Sequence, residues 1–390
     1  MRTQFHINPL AALCSILSCS IVIFLLLSFR APIADKTGRL GCLDGLRGFL
    51  AMGVFFYHYV TCYYSHLTGR WDIPPSIFYY LSGKVAVSLF FTITGFLFWH
   101  KIWTKQGKVD WFNLYISRIF RIVPLYWFSV CIIVSIVFIL EGFSFKVPLF
   151  SLAKEIITWL SFLWLPDING FHDTGRIFAY VQWTLVYEWV FYLSLPVLAL
   201  AIRYSNGKLL IPCLMATGVV LGVVKPLNIP YIDISTKYFV YFLIGALAAS
   251  FYSNDRLRAL AQNKFASVIA ASSIVCIFVF FHTPYGLWQD ILLAMFFIPV
   301  AFGNSMFGLF KLPVFTMLGD ISYSIYLLHG IILYLLFTVF IPSFFSQITS
   351  LSWIYAGMSL TGIIVVCVSW LTYSLIEKPF MDLGKSFVKR

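Results

Sequence analysis

Apolar residues fall along this chain in long blocks, not in the alternation of half-buried strands or the narrow stripes of amphipathic surface helices. A helix that crosses a bilayer needs about 20 mainly apolar residues. Blocks of that kind occupy 8–29, 44–64, 84–103, 119–140, 182–202, 208–224, 236–252, 264–282, 287–304, 318–341 and 352–376. They predict a bundle of eleven spanning helices. The run Ile156–Leu165 is too short to cross and is rich in Trp and Phe, so it reads as an interfacial or re-entrant segment.

Polar residues mark the loops between the blocks and orient the bundle. Counted on alternate sides, 18 Lys and Arg fall on one side and 8 on the other, with Arg47 left inside a span. By the positive-inside rule the richer side is cytoplasmic. The C-terminus then lies in the cytoplasm and the N-terminus outside. The longest polar stretches, around 65–83 and 141–181, face outward. The first block carries Arg30, Lys36 and Arg39 on its far flank and has no clean cleavage site after it, so a retained anchor is expected in place of a signal peptide. Only a short tail follows Lys378, and no further soluble domain is expected.

Composition narrows the class. Of the 390 residues, 61% are hydrophobic and 11% charged, against about 25% charged in soluble domains, which excludes a soluble enzyme or a disordered chain. The net charge of +12 is mostly topogenic, because the basic residues lie between apolar blocks and not on polar faces. Nucleic acid is therefore not an expected partner; membrane lipid is. The eight cysteines sit mostly within apolar blocks without a C-x-x-C pattern and read as small hydrophobes. No carboxylate/His set has metal-ligand spacing, so no metal is expected.

Ionisable groups inside spans are costly and are functional candidates by default. Arg47 and His58 are 11 residues apart, which on a helix is three turns plus about 20°, so both share one face roughly 16 Å apart in height. A cation at a cytoplasmic mouth and a titratable base deep within suit an anionic donor that enters from the cytoplasm. Taken singly, Arg47 snorkels to headgroups and His58 is a hydrogen-bonded core histidine. Asp44 is either the cap of that helix or a partner of Arg47. Arg118 and Arg121 are i,i+3 neighbours whose guanidinium forks suit phosphate; alone they would read as a positive-inside anchor. Glu188 either pairs with an intramembrane Arg or orients His58. Asp320 and Ser322 sit at a helix start, where capping is the default, and His329 is a second buried imidazole and a weaker base. Glu377 precedes Pro379, where the last span is expected to stop. Gly218 and Gly222 make a G-x-x-x-G expected to serve close helix packing.

At these residues the sequence resembles the acyltransferase-3 family of membrane acyltransferases. Leu43-Asp44-Gly45-Leu46-Arg47-Gly48 and His58 are similar to the family's L-D-x-L-R-G context and its Arg separated by ten residues from a His. Arg118 and Arg121, with Pro124 and Tyr126-Trp127, resemble its R-x-x-R stretch. Phe91 to Phe96 resembles F-x-x-S-G-F, with Thr94 in place of Ser. Gly319 to His329 and Glu377-Lys378-Pro379 resemble two late segments. The likeness covers about 43–380 and keeps the family's order.

The resemblance implies an all-α polytopic membrane protein: about ten core helices in residues 37–380, an extra N-terminal anchor in 1–36 and a short cytoplasmic tail in 381–390. It implies an O-acyltransferase of the bacterial cytoplasmic (inner) membrane with its N-terminus periplasmic. The donor would be cytoplasmic acyl-CoA, acetyl-CoA in the usual case, and the acceptor a hydroxyl of a polysaccharide, O-antigen or lipid-linked sugar. Arg47, Arg118 and Arg121 would hold the CoA phosphates. His58, whose imidazole type titrates at about 6.5 in water, would be general base or transient acyl carrier, oriented by Glu188 or Glu377. A transporter or flippase of lipid-linked sugar is the rival from another class, and no matched inverted halves support it.

Overall fold

The computed structural model describes residues 7–28, 40–162, 166–205, 227–229, 232–283, 285–344 and 351–388. Helix dominates these residues; the exception is one short antiparallel hairpin, Leu227–Ile229 against Ile232–Ile234. Every apolar block among the described residues forms helix; the block 208–224 lies outside them together with Gly218 and Gly222. The helices are α1 (Leu10–Ser28), α2 (Gly41–Thr68), α3 (Ile77–Thr104), α4 (Trp111–Leu140), α5 (Leu149–Leu160) and α6 (Trp183–Ser205). They continue with α7 (Phe239–Phe251), α8 (Asp255–Ala261), α9 (Lys264–Phe280), α10 (Leu287–Ala301), α11 (Pro313–Asp320), α12 (Ser322–Tyr334), α13 (Leu351–Thr372) and α14 (Lys378–Val388).

Five of the described helices are long and apolar enough to cross a membrane: α3, α4, α6, α12 with its continuation to Phe340, and the rod from Ser352 to Val388. The pair α8 and α9, bent by 66°, makes a possible sixth span. The chain is thus a multi-pass membrane protein. Helices α7 and α10, of 13 and 15 residues, fall short of a bilayer at about 1.5 Å per residue. Of the run 156–165, residues 156–160 close α5, a 12-residue helix, and 163–165 lie outside the described residues.

Burial separates the centre of the bundle from its rim. Helix α2 buries 19 of its 28 residues, whereas α4 buries 9 of 30 and leaves a broad apolar face outward. The central helix is the more polar one, because its Asp44, Arg47, His58 and four tyrosines face protein and not lipid. Its close packing depends on glycine: a Cβ at Gly45 would overlap the carbonyl of Phe310, and one at Gly319 in α11 would overlap the carbonyl of Asp44. Helices α3 and α7 cross in the same way, Gly95 lying against the Phe242 carbonyl and Gly245 against that of Thr92. Local signals set several ends. Asp110 caps α4 by accepting from the Asn113 amide at 3.0 Å, and Gly69, with φ of 75°, closes α2.

The helices at the two ends pack onto the bundle, and the last of them departs from the expected stop. Helix α1 docks on α13, with the Ser15 hydroxyl donating to the Met358 carbonyl at 3.3 Å. At the other end the rod does not stop at Pro379. A π-helical turn, Tyr373–Glu377, shifts the hydrogen-bond register, so Pro379 falls in the first turn of α14, where its missing N–H costs nothing. Residues 381–388, expected as a tail, are helix packed on α4, with Phe387 stacked on Phe120 at 5.5 Å.

Candidate active site

Three arginines converge from two helices. Arg47 of α2 and Arg118 and Arg121 of α4 line a cavity of about 480 Å³, within the usual range of about 300–1,000 Å³ for ligand sites. Glu188 and Tyr192 of α6 and Ser322, Tyr323 and Tyr326 of α12 complete the wall facing them. The i,i+3 spacing of Arg118 and Arg121 puts both on this face, as the sequence predicts. Arg47 lies 4.0 Å from Asp44, which is inside the helix and not its cap. Arg121 lies 3.6 Å from Glu377, whose other oxygen accepts from the Ser324 hydroxyl at 3.0 Å. Arg118 places its guanidinium over the Phe98 ring at 5.2 Å, a cation–π contact, and hydrogen-bonds the Tyr192 side chain. Glu188 accepts from the Tyr192 hydroxyl at 2.8 Å. The lining therefore carries three guanidiniums against the carboxylates of Asp44 and Glu188, and it favours an anion.

His58 lies further along α2, outside this lining, and its neighbour is another histidine. His329 Nε2 is 2.9 Å from His58 Nδ1. The backbone fixes which nitrogens carry protons. His329 Nδ1 sits 2.9 Å from the Ile325 carbonyl, which can only accept, so Nδ1 is the N–H and Nε2 the acceptor of a neutral ring. His58 Nδ1 then faces two acceptors, His329 Nε2 and the Val54 carbonyl at 3.1 Å, and must be the donor to both. His58 Nε2 is left as a bare lone pair, the form a base or nucleophile needs. His58 keeps 9% of its surface accessible and His329 none.

The structure thus gathers Arg47, Arg118, Arg121 and Glu188 in one cavity, with Glu377 behind Arg121, and sets His58 apart from them. His58 takes its hydrogen bond from neither acid: Glu188 holds Tyr192, and Glu377 holds Ser324 and Arg121. Its partner, His329, stands 271 positions away. Sequence reasoning saw both imidazoles but had no signal that would pair them. Tyr326 and Thr184, joined at 2.8 Å, were also missed; Tyr326 is one turn from His329 and lines the cavity. Ser322 donates to the Gly319 carbonyl at 2.8 Å and does not cap α12. Among the described residues no three of His, Cys, Asp and Glu converge on a point where a metal could sit.

Comparison with known proteins matches the same region. A family profile described as an acyltransferase domain covers residues 40–373, from the start of α2 to the π-helical turn. The chain is 22% identical over 370 residues to "O-acetyltransferase OatA" of Staphylococcus aureus (strain NCTC 8325 / PS 47), which spans 88% of this chain and 57% of that protein. It is 23% identical over 385 residues to "Nodulation protein 10" of Rhizobium leguminosarum bv. viciae, spanning 91% of this chain and 97% of that one. The chain thus covers a little over half the length of the OatA proteins it matches. No solved structure matches.

Proposed function

Because this chain belongs to the acyltransferase-3 family, we propose that it transfers an acetyl group from acetyl-CoA to a hydroxyl of a carbohydrate acceptor at the bacterial cytoplasmic membrane. The supporting observation is the His58 ring, whose Nδ1 proton is committed to two acceptors and whose Nε2 is free to take a proton. The relative named an O-acetyltransferase supports the type of group transferred.

In this reading Arg118 and Arg121, with Arg47, hold the CoA phosphates in the arginine cavity from the cytoplasmic side. Guanidiniums serve here because they stay charged and match phosphate oxygens in pairs. The acceptor hydroxyl oxygen attacks the thioester carbonyl. A C–O bond forms, the C–S bond breaks, and the hydroxyl proton passes to His58 Nε2 and on to the departing CoA sulfur. His329 touches no substrate; it is a positioning residue that holds the His58 tautomer. Glu377 and Asp44 hold Arg121 and Arg47 in place.

Washed membranes given labelled acetyl-CoA test the scheme. His58→Ala is expected to lower acetyl transfer by about 100-fold or more; transfer at the parental rate would sink the role of His58. Arg121→Ala should weaken acetyl-CoA binding more than acceptor binding, and equal losses would count against the phosphate clamp.

A further inference from the structure

A second cavity, of about 200 Å³, opens toward the other end of α2. Its lining includes Ser65 and His66 of α2, Trp71 and Arg176 from the connecting segments, and Tyr334 and Thr338 beyond the histidine on α12. The order along two helices is the same. On α2 the arginine cavity takes Leu43, Asp44 and Arg47, then comes His58, then the second cavity takes Cys62, Ser65 and His66. On α12 and its continuation the arginine cavity takes Ser322, Tyr323 and Tyr326, then comes His329, then the second cavity takes Leu333, Tyr334 and Phe337. The histidine pair therefore stands between two cavities, with the Trp71 ring 6.5 Å from that of His58 and nearly parallel to it.

Arg176 gives this cavity its chemistry. Its guanidinium lies 5.6 Å from the Trp71 ring centre and donates to the Ser65 hydroxyl. Its Nε is buried without a partner, and among the described residues no carboxylate pairs with it. The acid three residues earlier is engaged elsewhere: Asp173 accepts from the Tyr180 hydroxyl, and burial together with that carboxylate pushes the phenol above its ordinary range. An unmet buried N–H is costly and rare in native folds, so its retention marks a place for an acceptor atom. The Trp71 ring, already engaged by Arg176 and His58, offers an apolar wall to the C–H groups of a sugar ring, while Arg176, Ser65 and His66 meet hydroxyls at the edge.

We propose that this cavity is the acceptor subsite, and that it seats one pyranose ring of a carbohydrate against Trp71 with ring oxygens on Arg176. The proposal rests on the acyl-transfer reading above. The cavity holds a single ring and not a chain, so the rest of a longer acceptor lies outside it. A hydroxyl of the seated ring then approaches His58 from the side opposite the thioester.

The test uses native membranes carrying the full chain, with labelled acetyl-CoA as probe. Two quantities are read: acetyl-CoA affinity by filtration, and base-labile acetyl in the glycan fraction. Arg176→Met removes the donors at similar volume, and Thr338→Trp, an exposed rim position, obstructs the cavity without disturbing the core. Both are expected to lower glycan acetylation about ten-fold or more while acetyl-CoA affinity stays within about two-fold, the size of a lost charge-assisted hydrogen bond. Arg176→Lys should recover part of the rate. Parental acetylation by Thr338→Trp overturns the subsite whatever Arg176→Met does, as does an equal fall of affinity and acetylation in both variants. If unsubstituted membranes neither bind acetyl-CoA nor acetylate glycan, the acyl-transfer reading itself fails, and the subsite with it.

Discussion

At the scale of single residues, the site turns on one proton. His329 accepts from His58 Nδ1 because its own Nδ1 is already given to the Ile325 carbonyl, so a backbone contact on α12 sets the tautomer of a ring on α2. His329→Ala should therefore lower kcat about ten-fold or more while the KM for acetyl-CoA stays within about two-fold, the expected pattern when a group acts through the base and not on bound substrate. His329→Gln offers an amide oxygen to the same N–H and should recover a large part of the loss; a merely structural role would show no such rescue. The arginines were legible in the sequence because a charge inside an apolar block is rare enough to stand out. The histidine contact was not, since nothing in the local spacing of His58 or His329 refers to the other. Arg176 was hidden for another reason: it fell among the outward-facing basic residues, whose default explanation is topology.

At the scale of helices, the apolar blocks predicted elements well and their roles poorly. Hydropathy favours helices that face lipid, so α4 stands out and α2, the helix buried on most sides, does not pass as a span. What holds α2, α3, α7 and α11 at close range is glycine set against backbone carbonyls, a relation between distant segments that no single block displays. Gly95→Leu or Gly245→Leu is expected to separate α3 from α7 and to destabilise the protein by about 1–3 kcal/mol, read as a lowered melting temperature in detergent. Gly41, which meets nothing within contact distance, serves as control: Gly41→Ala should leave the melting temperature unchanged. The π-helical turn at Tyr373–Glu377 was likewise invisible; it ends on Glu377, whose partners Arg121 and Ser324 lie on distant segments.

At the scale of the whole molecule, the charge count makes a prediction about sides. With Cys14 and Cys131 replaced by serine, Asp72→Cys, beside Trp71, should react with a membrane-impermeant thiol reagent in intact cells. Lys311→Cys, next to the Phe310 that abuts Gly45, should react only after permeabilisation; reaction of Lys311→Cys from outside with Asp72→Cys protected would invert the assigned orientation. The broad class and the arginine face were legible in the sequence, whereas the presence of two cavities was not, because each is closed by residues from segments hundreds of positions apart. A bundle with cavities on either side of its histidine pair also meets a demand that chemistry alone does not impose. A cytoplasmic membrane stores energy as a proton gradient, and two imidazoles in contact are the natural link of a proton wire. Here both Nδ1 protons are tethered to carbonyls one turn back, Val54 for His58 and Ile325 for His329, so neither ring can relay by turning over. The hydrogen bonds that fix the His58 tautomer thereby make the pair an insulator, and vesicles carrying the protein should hold an imposed pH difference as long as empty ones do.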